Sequence, residues 1–285
     1  HVPVVVSGQQ AARRGVQGSF EHRPSLRVWA AGAPAPLHDR WRAYYRAVDY
    51  NRGLGDEERL ESASIHSDAY DGFDPETFRA LAAELAARQV WQVPTCVLWQ
   101  ARDAKSREAY AADPRMRRVP GWMRGWWSGW LPEDVAVVAA ERAVNRRRTD
   151  YCLARTGDFH RLGVPLLAGT DVMMPYVFPG TGLHDELALM VQAGLTPAEA
   201  LATATSGPAR FMGRDDLGAV RAGALADLVL LDADPLADIA ALGRIHGVVA
   251  GGRWVGPEHR QREFERIERI LGAPAASTEL AGTLA

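Results

Sequence analysis

Short apolar runs that end in polar residues alternate along the chain with longer stretches of helical period, the pattern of a parallel α/β protein. Three runs stand out. One ends at Ser19-Phe20-Glu21-His22, the second spans Trp91 to Trp99, and the third spans Pro165 to Asp171. Each follows a helix candidate. Before the second run, Asp74-Pro75-Glu76 offers an N-cap with proline at the first helical position, and Phe78, Leu81 and Leu85 share one apolar face. Before the third, residues from about Glu133 to Gly163 form a long amphipathic pattern carrying Val137, Val138, Ala140 and Val144, stopped by glycine. A further helix is expected over about His184 to Gln192. Another is opened by Thr196-Pro197-Ala198-Glu199, with a capping threonine and a glutamate three residues on.

From Leu217 the texture changes to short strands with glycine turns: Leu217 to Val220, Asp227 to Asp232, and Gly247 to Val255. This is a second, β-rich unit. The stretch Glu258 to Leu271 reads as a surface helix and the small-residue end as frayed. Residues 23–70, too long for a plain strand-to-helix connection, read as a helical insertion over the mouth of the sheet. Four tryptophans within Trp122–Trp130 either line a substrate entrance or anchor a second insertion. Anchoring is the favoured reading, because buried aromatics usually serve packing.

Composition narrows the partner. Lys+Arg 33 against Asp+Glu 35 leaves a formal charge of -2, so no net field favours nucleic acid or an anionic membrane. A small-molecule partner is expected, with homo-oligomerisation left open. No apolar run reaches the ~18 residues of a membrane span. Localisation stays unassigned, because the chain starts without Met and a targeting segment would lie upstream. Cys96 and Cys152 show no C-x-x-C spacing and read as ordinary buried thiols.

The candidate chemistry rests on His1, His22 and Asp171. His1 and His22 are separated by Ser7 to Gly15, which reads as a capped helix, so a strand end, a helix and another strand end would fit between them. In a parallel barrel the C-terminal strand ends share one mouth, where two imidazoles and a carboxylate can converge on a cation. The competing reading of each is bland: a strand-end histidine is more often structural or at the surface, and Gly-Thr-Asp recurs by chance.

These segments resemble a known family. His1-Val2-Pro3, Gly18-Ser19-Phe20-Glu21-His22 and Gly163-Val164-Pro165-Leu166-Leu167-Ala168-Gly169-Thr170-Asp171 are similar to the strand 5, strand 6 and strand 8 motifs of the amidohydrolase superfamily, in its imidazolonepropionase-like and prolidase-like branch. Leu183 to Leu187, Ala193 to Leu201 and Ala226 to Leu236 continue the resemblance in order. It implies a (β/α)8 TIM barrel with a small β-sandwich, of which this chain would hold a partial barrel, from the end of strand 5 to strand 8, and the C-terminal part of the sandwich. The units would be 1–216 for the barrel part, with insertions at about 23–70 and 100–160, then 217–256 for the sandwich part and 257–285 for the helix and tail.

The resemblance further implies a hydrolase of amide-type C–N bonds in dipeptides, N-acyl amino acids or cyclic amides. It would use one or two divalent metals, with zinc expected. His1, His22 and Asp171 would be ligands, and Asp171 would also relay the proton from water to the leaving nitrogen. The family's strand 1 His-x-His pair and its strand 4 lysine or acid have no counterpart here. The chain is therefore expected to be a fragment, inactive without the other half. His184 could reach a substrate carboxylate, or cap its helix, or sit at the surface. Tyr176 could line the pocket, although an ordinary loop aromatic is the better reading. His38, His66, His160, His246 and His259 read as solvated, Arg146-Arg147-Arg148 as a solvated helix face, and Asp227 as structural. Two alternatives stand beside the hydrolase: a metal-free remnant that binds a ligand or partner, and a metal-dependent deaminase.

Overall fold

The computed structural model describes residues 4–5, 18–20, 35–47, 55–103, 112–129 and 135–272. The first strands, β1 (Val4–Val5), β2 (Gly18–Phe20) and β3 (Trp91–Gln92), form a parallel sheet in that order, with Val4 opposite Gly18 and Ser19 opposite Trp91. A fourth segment extends it. Gln92 bridges in parallel to Leu166, its N–H bonding to the Pro165 carbonyl at 2.9 Å while its own carbonyl accepts from Leu167 N–H at 2.9 Å. Chain order and spatial order therefore coincide over four parallel segments, which is an α/β arrangement, because helices fill every described crossover.

Between β2 and β3 run α1 (Ala35–Ala47), α2 (Asp56–Asp71) and α3 (Pro75–Ala87). Residues 23–70 are thus helical where described, as their pattern predicts. The buried side chains of Leu37, Tyr44, Ile65 and Ala69 hold α1 to α2, and the Arg40 guanidinium forks onto the Glu61 carboxylate at 2.6 and 2.7 Å. Helix α3 begins as its residues dictate. The Asp74 carboxylate accepts from the N–H groups of Glu76 (3.1 Å) and Thr77 (3.0 Å), while Pro75 takes a first-turn position where no N–H is needed.

The run Trp91–Trp99 departs from expectation. Only Trp91–Gln92 is strand, and α4 already starts at Cys96 and runs to Asp103. Pro94 cannot donate to a ladder, and Thr95 takes φ 50°, which ends any extended path. Beyond it lie a 3-10 turn at Pro114–Arg118, α5 (Gly121–Gly129) and the 27-residue α6 (Val135–Arg161). The predicted glycine stop is present, with Gly163 at φ 75°. Helix α6 is tied to α2 at two points: Arg59 of α2, itself buried, donates to Glu141 at 3.0 Å, and Arg147 meets Asp71 at 2.6 Å.

Two residues expected in solvent are buried instead. His66 is 5% exposed, with Nδ1 2.6 Å from the Ser62 carbonyl one helical turn back. Arg148 is also 5% exposed, lying over the Trp99 ring at 4.5 Å and donating to Tyr70 Oη at 3.2 Å. In both cases the helix packs against other helices on more than one side, α2 between α1 and α6 and α6 between α2 and α4, which leaves it no fully solvated face. His160, His246 and His259 are partly or fully exposed, as expected, with His160 beside Glu199 and His246 beside Asp232. The side chain of His38 lies outside the described residues.

Helix α7 (Gly182–Gln192) is followed by α8 (Pro197–Ala204), whose capping box is formed: Thr196 Oγ1 accepts from Glu199 N–H while the Glu199 carboxylate accepts from Thr196 N–H at 2.8 Å. The short α9 (Ser206–Phe211) leads to the β-rich unit. There the expected strand at Leu217–Val220 does not form. Gly218 makes a turn at φ 75° so close to Thr205 that a Cβ would lie 2.5 Å from its carbonyl oxygen. Strands β4 (Leu228–Leu231), β5 (Ile245–Ala250) and β6 (Arg253–Val255) make an antiparallel sheet, with Gly251 and Gly252 supplying the two positive φ angles of its hairpin. Asp227 serves this sheet structurally, accepting from Gly251 N–H at 2.6 Å. The chain's charged tail forms α10 (Pro257–Gly272), tied to the 3-10 turn by Arg118, which pairs with Glu268 at 2.9 Å and stacks over Phe264.

The largest core cluster joins the fourth parallel segment to the helices around it. Phe78, Leu81 and Leu85 of α3 meet Phe159 of α6, Leu166 of the fourth segment, and Leu187 and Met190 of α7. Among the described residues no helix is long and apolar enough to cross a membrane.

Candidate active site

Asp171 follows the fourth parallel segment, at the entry of a loop that runs to Gly180. Its side chain is half exposed, and its carbonyl accepts from Met174 N–H at 3.2 Å. Three residues of this loop that are not glycine hold positive φ: Asp171 at 50°, Met173 at 94° and Tyr176 at 64°. Thr95 at 50°, in the loop after β3, is a fourth. Such conformations cost of order 1–3 kcal/mol each and persist where surrounding contacts over-determine them.

Those contacts come from residues 112–129. Trp127, fully buried, donates from Nε1 to the Met173 carbonyl at 3.0 Å and packs on Tyr176 and Phe178, with ring centroids 5.3 and 5.8 Å away. Val119 and Met123 complete this cluster. Arg115 covers the Phe178 ring at 4.0 Å and bridges Asp113 (3.0 Å) to Asp185 (2.8 Å) on α7. Trp127 thus anchors, whereas Trp122 and Trp126 present exposed rings and Trp130 lies outside the described residues. Beside the clamp opens a cavity of about 570 Å³ lined by Asp113, Met116, Arg117 and Arg124 among others. Arg117 and Arg124 donate to the backbone carbonyls of Pro114 and Met116.

The two loops also touch each other. A Cβ on Gly169 would fall 2.3 Å from Val93 Cγ1, so only glycine lets the fourth segment pass the loop after β3 two residues before Asp171. Gly182, the first residue of α7, packs against Val177 and Thr170, which sets the N-terminal end of α7 beside the Thr170-Asp171 step.

Of the residues singled out from sequence, Tyr176 is buried, its ring belonging to the aromatic cluster. His184 is half-buried in the first turn of α7, and burial holds its imidazole below the usual range while Asp185 acts in the opposite direction. His1 and His22 lie outside the described residues. In chain order His22 follows β2, whereas His1 precedes β1, which starts at Val4. Among the described residues no group of three or more His, Cys, Asp or Glu side chains converges as a metal set.

Sequence reasoning missed Glu186. It is fully buried on α7, and its Oε2 accepts from Val97 N–H at 2.7 Å at the start of α4, while Oε1 has no hydrogen-bond partner. Burial pushes its carboxyl up to about 8, nearby Cys152 adds to the rise, and backbone N–H donors oppose it. The signal was present in the helix period. Glu186 lies one turn after Gly182 and one before Met190, on the buried stripe of α7.

The amidohydrolase family model matches residues 131–255, a stretch that contains Asp171, His184 and Glu186. Over that stretch the chain is similar to the amidohydrolase family. Imidazolonepropionases of Anaeromyxobacter sp. (strain K) and Anaeromyxobacter dehalogenans (strain 2CP-1 / ATCC BAA-258) are each 33% identical to it over 108 residues, 36% of this chain and 22% of theirs. Among solved structures, bottromycin amidohydrolase superposes with a TM-score of 0.61 at 23% identity, over 92% of this chain and 55% of that one. The amidohydrolase-like α/β fold is therefore shared, and the match spans about a fifth of the length of these imidazolonepropionases.

Proposed function

We propose that this chain is part of a hydrolase that cleaves an amide-type C–N bond of a small substrate. The observation that carries the reading is the amidohydrolase match over residues 131–255, which brackets a strained loop opening on the half-exposed carboxylate of Asp171. In this reading the four parallel segments are successive staves of a (β/α)8 barrel within residues 1–216, and residues 217–256 belong to a small sandwich.

Asp171 is the described residue suited to hold a divalent metal, zinc by our assignment. The remaining ligands must come from elsewhere, with His22 and His1 as candidates. His22 is the stronger of the two, because it follows its strand as Asp171 follows the fourth segment. A metal bound there would supply Lewis acidity and a lowered water pKa. Asp171 itself takes the proton of the attacking water and hands it to the leaving nitrogen. His184, whose imidazole burial shifts toward its neutral form, serves the substrate as a hydrogen-bonding group.

The test uses the full-length protein on a panel of dipeptides, N-acyl amino acids and cyclic amides, with and without chelator, alongside Asp171→Asn. We expect chelation to abolish turnover and Asp171→Asn to lower kcat by at least about 100-fold with an unchanged melting temperature. Undiminished turnover in both arms refutes the reading. Absence of both turnover and stoichiometric metal would mark a binding remnant instead, and release of ammonia from an aminated ring a deaminase.

A further inference from the structure

Cys96 and Cys152 stand 56 positions apart in sequence, yet their sulfur atoms lie 2.6 Å apart, Cys96 opening α4 and Cys152 inside α6. The surroundings are closed. Cys96 is 0% exposed and Cys152 5%, Thr156 Oγ1 is 3.5 Å from the Cys96 sulfur, and Cys152 lies 3.6 Å from the Pro94 carbonyl. At this separation the sulfurs are inside van der Waals contact and a small side-chain adjustment from the ~2.05 Å bond. We propose that Cys96 and Cys152 form a disulfide that staples α4 to α6 behind the loop after β3.

The chemistry balances with a low-molecular-weight disulfide such as oxidised glutathione. One cysteine thiolate attacks a sulfur of the oxidant, the S–S bond breaks, and one glutathione thiolate leaves. The second cysteine thiolate then attacks the protein-bound sulfur and expels the other glutathione. Two protein thiols lose their hydrogens, and two glutathione thiols gain them. Burial in the fold keeps the Cys96 thiol protonated and excludes the oxidant, so the bond is laid down while the chain folds and is shielded afterwards. The pair is therefore a structural staple rather than a switch. Its effect is greatest on the segment carrying Thr95, because Cys96 follows that strained residue directly.

The experiment refolds the reduced full-length protein with oxidised glutathione and quenches it with iodoacetamide in denaturant. Intact mass and a non-reducing peptide map are then read. We expect a Cys96–Cys152 cross-linked peptide and a melting temperature about 5 °C or more above that of the same protein refolded reduced. The difference should vanish in Cys152→Ser and in Cys96→Ser, while the wild-type peptide map stands even if either variant fails to fold. Alkylation of both cysteines, or separate glutathione adducts on each without the cross-linked peptide, overturns the proposal, as does an unchanged melting temperature in the cross-linked protein.

Discussion

Replacing Glu186 by Gln should remove a dependence of stability on pH that the wild type carries. The wild-type carboxyl titrates at 4.5 when unperturbed and at about 8 in the fold, where burial disfavours its charge. Between those values the unfolded chain has released a proton that the folded chain still holds, so the unfolded state is favoured progressively as pH rises. The contribution is fully present below pH 4.5 and lost by the time pH passes 8. The gap between 4.5 and about 8, at ~1.36 kcal/mol per pH unit, makes the loss about 5 kcal/mol. Gln is nearly the shape of the protonated acid, keeps an oxygen for Val97 N–H, and carries no charge at any pH. Urea unfolding at pH 5, 6, 7 and 8.5 under reducing conditions gives the comparison. The stability of wild type minus that of Glu186→Gln should fall by roughly 4 kcal/mol over that range, the rest of the loss lying mostly below pH 5. The low-titrating carboxyls of Glu61, Asp74 and Glu199 occur in both proteins and cancel in the difference, as does His184. Parallel curves would show that Glu186 is ionised in the fold and that burial does not govern it.

Two further substitutions probe how the loops are held. Gly169→Ala forces its new methyl onto Val93 Cγ1 and should cost about 1–3 kcal/mol. Val93→Ala in the same chain should recover part of that loss, and strict additivity of the two changes in urea melts would rule out the contact as its cause. Trp127→Ala empties a fully buried site and frees the Met173 carbonyl, for a loss of about 3–5 kcal/mol. Amide hydrogen exchange over 173–178 should accelerate in that variant, and unchanged protection there would mean that the loop is held by something other than the tryptophan.

What was legible in the sequence was what closes within a few residues. The Asp74 cap, the Thr196/Glu199 box, the stop at Gly163 and the Gly251-Gly252 turn each involve partners up to three positions apart, so residue order alone reveals them. The family motifs around Asp171 were legible for a different reason: they recur as ordered blocks. What stayed hidden depends on contacts that spacing cannot show. The Trp91–Trp99 run carries enough apolar residues for a strand, but Thr95 turns it into a helix whose first N–H groups are met by a carboxylate 89 positions away. The thiol pair spans 56 positions, and the Trp127 bond to Met173 spans 46.

These three long-range contacts share a destination. Glu186 and the cysteine pair hold the start of α4 directly after Thr95, and Trp127 holds the loop that begins at Asp171. Four residues in those two loops occupy left-handed backbone conformations without being glycine, together a cost of several kcal/mol that local sequence does nothing to repay. A chain under no demand at this place would relax it by substituting glycine or by shifting the loop. Here, instead, a fully buried acid, a fully buried indole and a tight glycine contact converge to keep both loops where they are. The residue presented by that arrangement is Asp171. If loosening Trp127 lowered turnover through kcat while Asp171 itself stayed intact, the strain would be tied to placing that carboxylate rather than to packing alone.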